Sequence, residues 1–232
     1  MKNNAKKFAR AVALLTVVAL LQACAVARLD ESLPKGIMNS DDLRLVEEGL
    51  PSYLLMMDGF IVNWPESEGL LQSGASLYSA YAGLFVEDEA RKRNLTDQAL
   101  DYARRAACEH DDDLCGLHKK PMPEVEKVLA QLDTDDVPVL YSLGTTWAGY
   151  IQARGSDWNA IAGLAKVNVI LERIVALDED HERGQTHMYL GVMNAFLPAS
   201  MGGQPEKARK HFQRAVTLSN DRNLLAKVLY AE

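Results

Sequence analysis

Residues 184–221 read GQTHMYLGVMNAFLPASMGGQPEKARKHFQRAVTLSND, a pattern of two helices joined by a turn rich in proline and glycine. The first helix is expected to stop before Pro198, because proline lacks a backbone N–H and biases the preceding residue away from the helical region. After Gly202-Gly203, Pro205 stands in the first turn of the second helix, where a missing N–H costs nothing. The stretch therefore predicts a helical hairpin.

The second helix of this hairpin has one apolar face. Its apolar residues recur at offsets of 0, 4, 7 and 10, and they are Ala208, Phe212, Ala215 and Leu218. Such a stripe follows the period of an α-helix. Together with Leu190-Gly191 in the first helix, it is typical of the tetratricopeptide repeat (TPR). Residues 197–204 form an insertion in the turn, so the second helix begins about five residues later than in a standard repeat.

Two earlier segments repeat the first three of these offsets. They are Ala99, Ala103 and Ala106, and then Val167, Leu171 and Ile174. The three stripes begin 68 and 41 residues apart, and 68 is twice the TPR period of about 34. The sequence therefore predicts an all-α fold, a degenerate TPR-like helical-hairpin array over residues 41–232. Before the first stripe it predicts a long helix over residues 66–93, with Gly74 and Gly83 as close contact points, and a turn at residues 94–97.

The composition is that of an ordinary globular protein. The chain has 232 residues, of which 48% are hydrophobic and 25% charged, and its formal net charge is −7. The first 23 residues contain four basic residues and no acidic one, which leaves 21 basic and 32 acidic residues, a net charge of −11, in the remainder. Because no basic cluster survives there, nucleic acid is not expected as a partner.

The N-terminus has the features of a bacterial lipoprotein signal. A basic region is followed by an apolar run at residues 11–21, too short for a comfortable membrane span. Leu21-Gln22-Ala23-Cys24 resembles the lipobox, which implies lipidation of Cys24 and a membrane anchor; a plain signal peptide with a chance cysteine is the alternative. Ala25 favours the periplasmic face of the outer membrane. We expect a signal peptide at 1–23, a tether at 24–40 and a helical domain at 41–232 whose C-terminus is truncated.

Residues 108–123 interrupt the helical pattern and contain two cysteines and two histidines. The spacing is Cys108-x-His110-x4-Cys115-x2-His118. In an oxidising periplasm two cysteines seven residues apart in a loop favour a disulfide. A metal site is a weaker alternative, because structural zinc sites pair a short cysteine motif with a more distant one, and free thiols are the third.

Motifs of catalysis are not visible. The sequence has no G-x-S-x-G, no H-E-x-x-H and no phosphate-cradling glycine loop. His181, His187 and His211 are interpreted as surface or helix-packing residues. We therefore predict a protein without catalytic residues, metal or cofactor.

Several aromatic and polar residues lie on or just after the expected first helices of the hairpins. Core packing is the simpler interpretation of each aromatic residue. The alternative is a groove for a hydrophobic ligand or a partner helix. The candidate groove residues are Tyr78, Tyr81, Tyr141, Thr145, Trp147, Gln185, Met188 and Val192.

Together with the lipobox and the degenerate repeats, several short sequence motifs make the chain resemble the T-component family of TRAP (tripartite ATP-independent periplasmic) transporters. The resemblance extends from about residue 43 to the end of the sequence. The motifs that carry it are Asp58-Gly59-Phe60, Asn63-x-Pro65, Tyr78-x2-Tyr81-Ala82, Leu190-Gly191, Gly202-Gly203-x-Pro205-Glu206-Lys207-Ala208, His211-Phe212 and the segment 224–231. The resemblance implies a homotrimeric periplasmic lipoprotein. It also implies binding to the substrate-binding P-component and a groove that passes a hydrophobic or organic-acid ligand.

A second function class stays open. TPR proteins mostly bind other proteins, so a scaffold lipoprotein in envelope assembly is the alternative. An enzyme is disfavoured, because no activated nucleophile or metal set is present.

Overall fold

The computed structural model describes Gly36 and residues 39–231, and every regular element in this part of the chain is a helix. The all-α prediction is confirmed. The helices are α1 (Leu43–Asn63), α2 (Glu68–Phe85), α3 (Glu89–His110), α4 (Met122–Gln131), α5 (Val137–Gln152), α6 (Trp158–Ile161), α7 (Leu164–Leu177), α8 (Gln185–Ala195), α9 (Pro205–Leu218) and α10 (Leu224–Ala231). None of these helices is both long and apolar enough to cross a bilayer. The predicted signal peptide, Cys24 and most of the predicted tether lie outside the described residues.

The chain divides into two compact units, residues 1–50 and 51–232. The described part of the first unit contains the capped start of α1. The Asp42 carboxylate accepts a hydrogen bond from the Leu45 N–H at 3.0 Å, and Arg44 pairs with Glu48 one turn later. Such a cap satisfies an N–H that has no partner within the helix.

The second unit contains three helical hairpins. They are α2 with α3, α5 with α7, and α8 with α9. Helix α5 packs against both helices of the first hairpin, and α8 packs against both helices of the second. The extra helix α4 lies against α7. Hairpins stacked in chain order bury a continuous core between neighbours, an arrangement compatible with a TPR-like array.

The three apolar stripes form the buried faces of the second helices. All nine residues at the 0, 4 and 7 positions are buried, and they are Ala99, Ala103 and Ala106 on α3, Val167, Leu171 and Ile174 on α7, and Ala208, Phe212 and Ala215 on α9. Alanine dominates on α3, where α2 supplies the larger side chains. The periodicity of the sequence therefore identified the core face of each second helix.

A glycine in the first helix of each hairpin lets the second helix approach closely. A Cβ atom on Gly74 would lie 2.9 Å from the Tyr102 ring, and one on Gly191 would lie 2.7 Å from the Phe212 ring. Gly144 has a similar place against Leu171, at 3.0 Å. The expectation for Gly83 was wrong, because this glycine is exposed and no atom lies within 4 Å of its Cβ position.

The boundary between α2 and α3 also differs from the expectation. The predicted long helix ends at Phe85, Val86 is extended, and the Asp88 carboxylate caps α3 by accepting the Arg91 N–H at 2.7 Å. Residues 94–97 are not a turn. The buried Thr96 donates its hydroxyl back to the Lys92 carbonyl at 2.9 Å, so a residue that favours turns is accommodated inside the helix.

The insertion between α8 and α9 is a short turn of its own, as the sequence indicated. A 3-10 turn at Ala199–Met201 is followed by Gly202 in a left-handed conformation, with φ of 97°. The Gln204 N–H then donates to the Asn194 carbonyl at 2.7 Å, which ties the end of the insertion to the end of α8.

Candidate ligand and partner sites

Three of the candidate groove residues meet on α5 and α8. The Tyr141 hydroxyl donates to the Gln185 side-chain oxygen at 3.1 Å, and Thr145 donates to the Tyr141 carbonyl at 2.7 Å. The Tyr141 ring also makes edge contacts with His181 and Tyr189. Burial raises the pKa of Tyr141, so its hydroxyl remains a donor at neutral pH. We call Tyr141, Thr145 and Gln185 the α5–α8 cluster.

Met188 and Val192 belong to a different environment. Met188 is buried in an apolar cluster with Ala208, Phe212, Ala215 and Ala226, and Val192 packs against the same cluster. Both side chains are therefore covered by helices of the same hairpin region.

Tyr78 connects three helices. Tyr78 on α2 and Tyr102 on α3 both donate to the Asp58 carboxylate on α1, at 2.6 and 2.7 Å. Burial, together with the hydrogen bond to Asp58, raises the pKa of Tyr102 to about 12 and raises that of Tyr78 further. Charge-assisted hydrogen bonds of this kind are strong, so the carboxylate joins the end of α1 to the first hairpin.

Tyr81 lies on the same helix as Tyr78 but contacts a cation. The Arg91 guanidinium donates to the Tyr81 hydroxyl at 3.1 Å and lies 5.4 Å from the centre of its ring. Tyr81 is therefore buried by packing within the first hairpin, apart from the α5–α8 cluster.

Trp147 is buried beside a cleft between α3 and α5. The Arg104 guanidinium lies 5.7 Å from its ring centre, and His118 makes an edge contact at 6.5 Å. Gly163 faces the indole so closely that a Cβ atom there would lie 2.8 Å from Nε1. The structure thus distributes the eight candidate residues over separate environments, of which only the α5–α8 cluster joins several of them by hydrogen bonds.

Cys108 and Cys115 are joined by a disulfide, which closes a loop at the end of α3. His110 and His118 point to other partners: His110 contacts Glu68 and Asp136, and His118 contacts Trp147. The four residues that suggested an alternative metal site are therefore occupied in other ways.

We expect protein denatured without reductant to be lighter by two hydrogen atoms than the reduced protein. Replacing both cysteines of the loop by serine is expected to lower the free energy of unfolding by about 2–3 kcal/mol, on the chain-entropy model of a small loop. Intact mass and urea denaturation measure the two effects. Equal masses would contradict the disulfide.

A pair of histidines, one buried and one partly buried, was not recognised from the sequence. Nδ1 of His187 on α8 lies 2.8 Å from Nδ1 of His211 on α9, and His187 Nε2 lies 3.2 Å from the Glu179 carboxylate. Arg214 pairs with the same carboxylate, and its hydrogen bond lowers the pKa of Glu179 to about 2. With Glu179 ionised, neutral His187 must donate through Nε2 and accept from His211 at Nδ1.

Acid is expected to destabilise this histidine pair. Burial lowers the pKa of His187, and burial with the adjacent His187 lowers the pKa of His211 to about 4. A base whose pKa is lower in the folded state than in the unfolded state makes its full contribution to stability above its unfolded pKa of about 6.5. This contribution is lost as the pH falls below that value. We therefore expect the free energy of unfolding to fall between pH 7 and pH 5, and to fall less in His211→Asn.

His110 provides a control of opposite sign for this measurement. Burial alone would lower its pKa, but hydrogen bonds to Asp136 and Glu68 raise it overall. Its contribution is present below the unfolded pKa of about 6.5 and is lost as the pH rises through the folded value. Urea denaturation should show His110→Gln losing more stability at pH 6 than at pH 8.5. If the free energy of unfolding varied with pH in the same way for wild type, His211→Asn and His110→Gln, the roles given to His211 and His110 would both be contradicted.

Comparison with known proteins gives the family. A model of the TRAP transporter T-component family matches residues 39–232. An uncharacterized protein of Treponema pallidum (strain Nichols) is 28% identical over 204 residues, which is 79% of this chain and 62% of the relative. The chain thus spans less than two thirds of that relative's length. The T-component family is a transporter accessory family of periplasmic components and not an enzyme family. The chain belongs to the TRAP transporter T-component family.

Proposed function

We propose that this protein is a lipid-anchored accessory subunit of a TRAP-type solute uptake system that docks the substrate-binding P-component. The observation that carries the proposal is the family match over residues 39–232, which covers all described residues except Gly36. The family supplies the association with a TRAP system, and the stacked hairpins offer the kind of extended surface that helical repeats use for binding. In this proposal the subunit also passes a hydrophobic or organic-acid ligand.

The anchor in this proposal is a lipid on Cys24, which holds the protein at the periplasmic face of the outer membrane. Several acyl chains on one residue bind a membrane firmly, since each buried methylene contributes about 0.8 kcal/mol. Metabolic labelling with a palmitate analogue and fractionation of the envelope test it. Label retained in Cys24→Ser, or recovery with the inner membrane, would contradict this part.

The docking face proposed for the P-component is the α5–α8 cluster. Gln185 is partly exposed at the start of α8, and Tyr141 holds its side-chain oxygen through the hydrogen bond described above. The NH₂ group of Gln185 makes no hydrogen bond to the residues that the structure describes, and an ordered amide of this kind is a specific donor for a partner's carbonyl or carboxylate oxygen. Aromatic side chains around it, Tyr141 and Tyr189, supply the apolar contact that interfaces favour.

Affinity capture of the anchored protein from native envelopes after crosslinking tests the docking. A TRAP solute-binding protein is expected among the partners, and Gln185→Ala or Tyr141→Phe should reduce its recovery. Gln213→Ala, the same side-chain deletion at an exposed site on α9, should not. If both cluster variants recover as much as wild type, the docking face is elsewhere. Capture of envelope-assembly proteins alone would favour the scaffold function instead.

The assembly proposed is a homotrimer. Sedimentation equilibrium on the lipid-free protein is expected to give three times the monomer mass. A monomer over the micromolar range would contradict it.

A further inference from the structure

Helix α1 exposes an apolar face. Five large apolar side chains between residues 55 and 64 are exposed, and they are Leu55, Met56, Phe60, Val62 and Trp64. The two most exposed of them, Leu55 at 72% and Val62 at 78%, stand seven residues apart and share one side of the helix. The opposite side is occupied, because Asp58 binds the tyrosines of the first hairpin. We call the five exposed residues the α1 face.

A second exposed apolar face lies on α10, which packs on the third hairpin. Leu224, Leu225 and Val228 are exposed on one side of this helix, whereas Ala226 on the other side is buried with Phe212. Leu224 is 71% exposed, and Val228, about one turn later, is 55% exposed. We call Leu224, Leu225 and Val228 the α10 face. A helical-repeat protein that is alone in solution needs polar outer faces on its flanking repeats, so both apolar faces require cover.

The two faces have surroundings of opposite charge. Residues 51–68, which include the α1 face, contain three acidic residues and no lysine or arginine. Residues 205–230, which comprise α9 and most of α10, contain six basic and two acidic residues, a net charge of +4. Glu66 is exposed in the first range, and Lys210 and Arg222 are exposed in the second. The α1 face and the α10 face therefore complement each other, whereas either face meeting a copy of itself would bring like charges together.

We propose that the α1 face of one copy of this chain packs on the α10 face of the next copy, head to tail. Contacts between two different faces continue from copy to copy until a ring closes. The homotrimer proposed above requires a contact of this type, because three copies related by rotation cannot use one face against itself. A contact of either face with itself gives a dimer instead.

The inference deepens the proposed homotrimer and rests on it for the number of copies. A trimer that survives the substitutions below would keep the trimer and refute the pairing of the faces. A ring of another size that responds to them as expected would keep the pairing and refute the trimer. Docking of the P-component is tested separately by affinity capture.

Substitutions that block one face at a time test the pairing. Val62→Asp blocks the α1 face and Val228→Asp blocks the α10 face, and both proteins should fold because both side chains are exposed. We expect each variant alone to associate at least about a hundredfold more weakly than wild type, because the contact would bury an unpaired charge. Sedimentation equilibrium of the lipid-free protein should then show monomers. Met201→Asp, at an exposed apolar residue outside both faces, is the control and should keep the wild-type mass.

Mixing the two blocked variants gives the decisive result. The intact α10 face of the Val62→Asp protein can meet the intact α1 face of the Val228→Asp protein. The remaining two faces are both blocked and carry the same charge, so assembly stops at two copies. An equimolar mixture is therefore expected to have twice the monomer mass, a result that a misfolded variant could not give.

Each other outcome identifies a different cover for the faces. The proposal is overturned if wild type is a monomer, if the mixture stays monomeric, or if the Met201→Asp control dissociates as well. A variant that is a dimer alone would show that its intact face pairs with itself. If Val228→Asp keeps the wild-type mass, another part of the chain or another partner covers the α10 face, and the proposal fails. The same result for Val62→Asp would refute the role of the α1 face.

Discussion

Phe212→Ala is expected to lower the free energy of unfolding by about 3–5 kcal/mol, the range for a large aromatic side chain removed from a core. Phe212 lies in the apolar cluster that joins α8, α9 and α10, with Met188 and Ala226 as neighbours. Because most of the other members are alanines or already packed, little can move in to fill the space. Urea denaturation measures the loss, and Phe212→Leu, which keeps most of the volume, should cost much less.

A glycine variant tests whether Phe212 makes the contact described above. Gly191→Ala places a methyl group 2.7 Å from the Phe212 ring and should destabilise the wild type. In the Phe212→Ala background the ring is gone, and alanine should then stabilise α8 by up to about 1 kcal/mol through its helix propensity. The sign of the effect is expected to reverse between the backgrounds, as coupled neighbours allow. Additive effects of the two changes would show that the ring and the glycine do not meet.

Gly203→Ala is expected to cost about 3 kcal/mol, the upper end of what added atoms cost in a packed site. A Cβ atom there would overlap the Leu197 carbonyl oxygen and lie 2.6 Å from its carbon. Both are backbone atoms, so no side-chain rotation relieves the clash, and the insertion between α8 and α9 must rearrange. Thermal and urea denaturation should agree on the loss.

The control for this variant is another glycine-to-alanine change. Gly83 lies in the exposed part of α2 with nothing within 4 Å of its Cβ position. Gly83→Ala should therefore stabilise the protein by up to about 1 kcal/mol. The two substitutions are chemically identical and opposite in expected sign. A Gly203→Ala protein as stable as Gly83→Ala would refute the close approach in the insertion.

Periodicity predicted the hairpins because it reports burial directly. The stripes beginning at Ala99, Val167 and Ala208 repeat on the helical period, and each one is buried in the structure. Pro198 and Pro205 likewise marked the insertion, since proline restricts the backbone wherever it occurs. Apolar periodicity and proline positions are local features, so they can be recognised in the sequence without knowing which helices meet.

Helix boundaries without such residues were less predictable. Residues 86–88 contain neither glycine nor proline, and the break there depends on one carboxylate cap at Asp88. Asn94 and Thr96 favoured a turn by composition, but Thr96 satisfies its hydroxyl inside α3. The break therefore follows the Asp88 cap and not the turn-favouring composition of residues 94–97.

The candidate sites depend on residues that are distant in sequence. Arg104, His118 and Trp147 come from α3, a loop and α5, and nothing in their spacing indicates that they meet. The histidine pair joins residues on facing helices, so each appears isolated in the chain. The hydrogen bond between Tyr141 and Gln185 is a partial exception, because repeat geometry placed both on first helices of adjacent hairpins.

The stacking order of the hairpins has a dynamic consequence. Helix α5 packs on the first hairpin, on its own partner α7 and on α8. Its amide protons can exchange with solvent only when neighbours on several sides separate, whereas α10 packs chiefly on α9. Amide exchange should therefore be slowest in α5 and fastest in α10, with protection decreasing outward from the middle hairpin. If exchange follows this order, the last hairpin is expected to open while the middle hairpin stays folded.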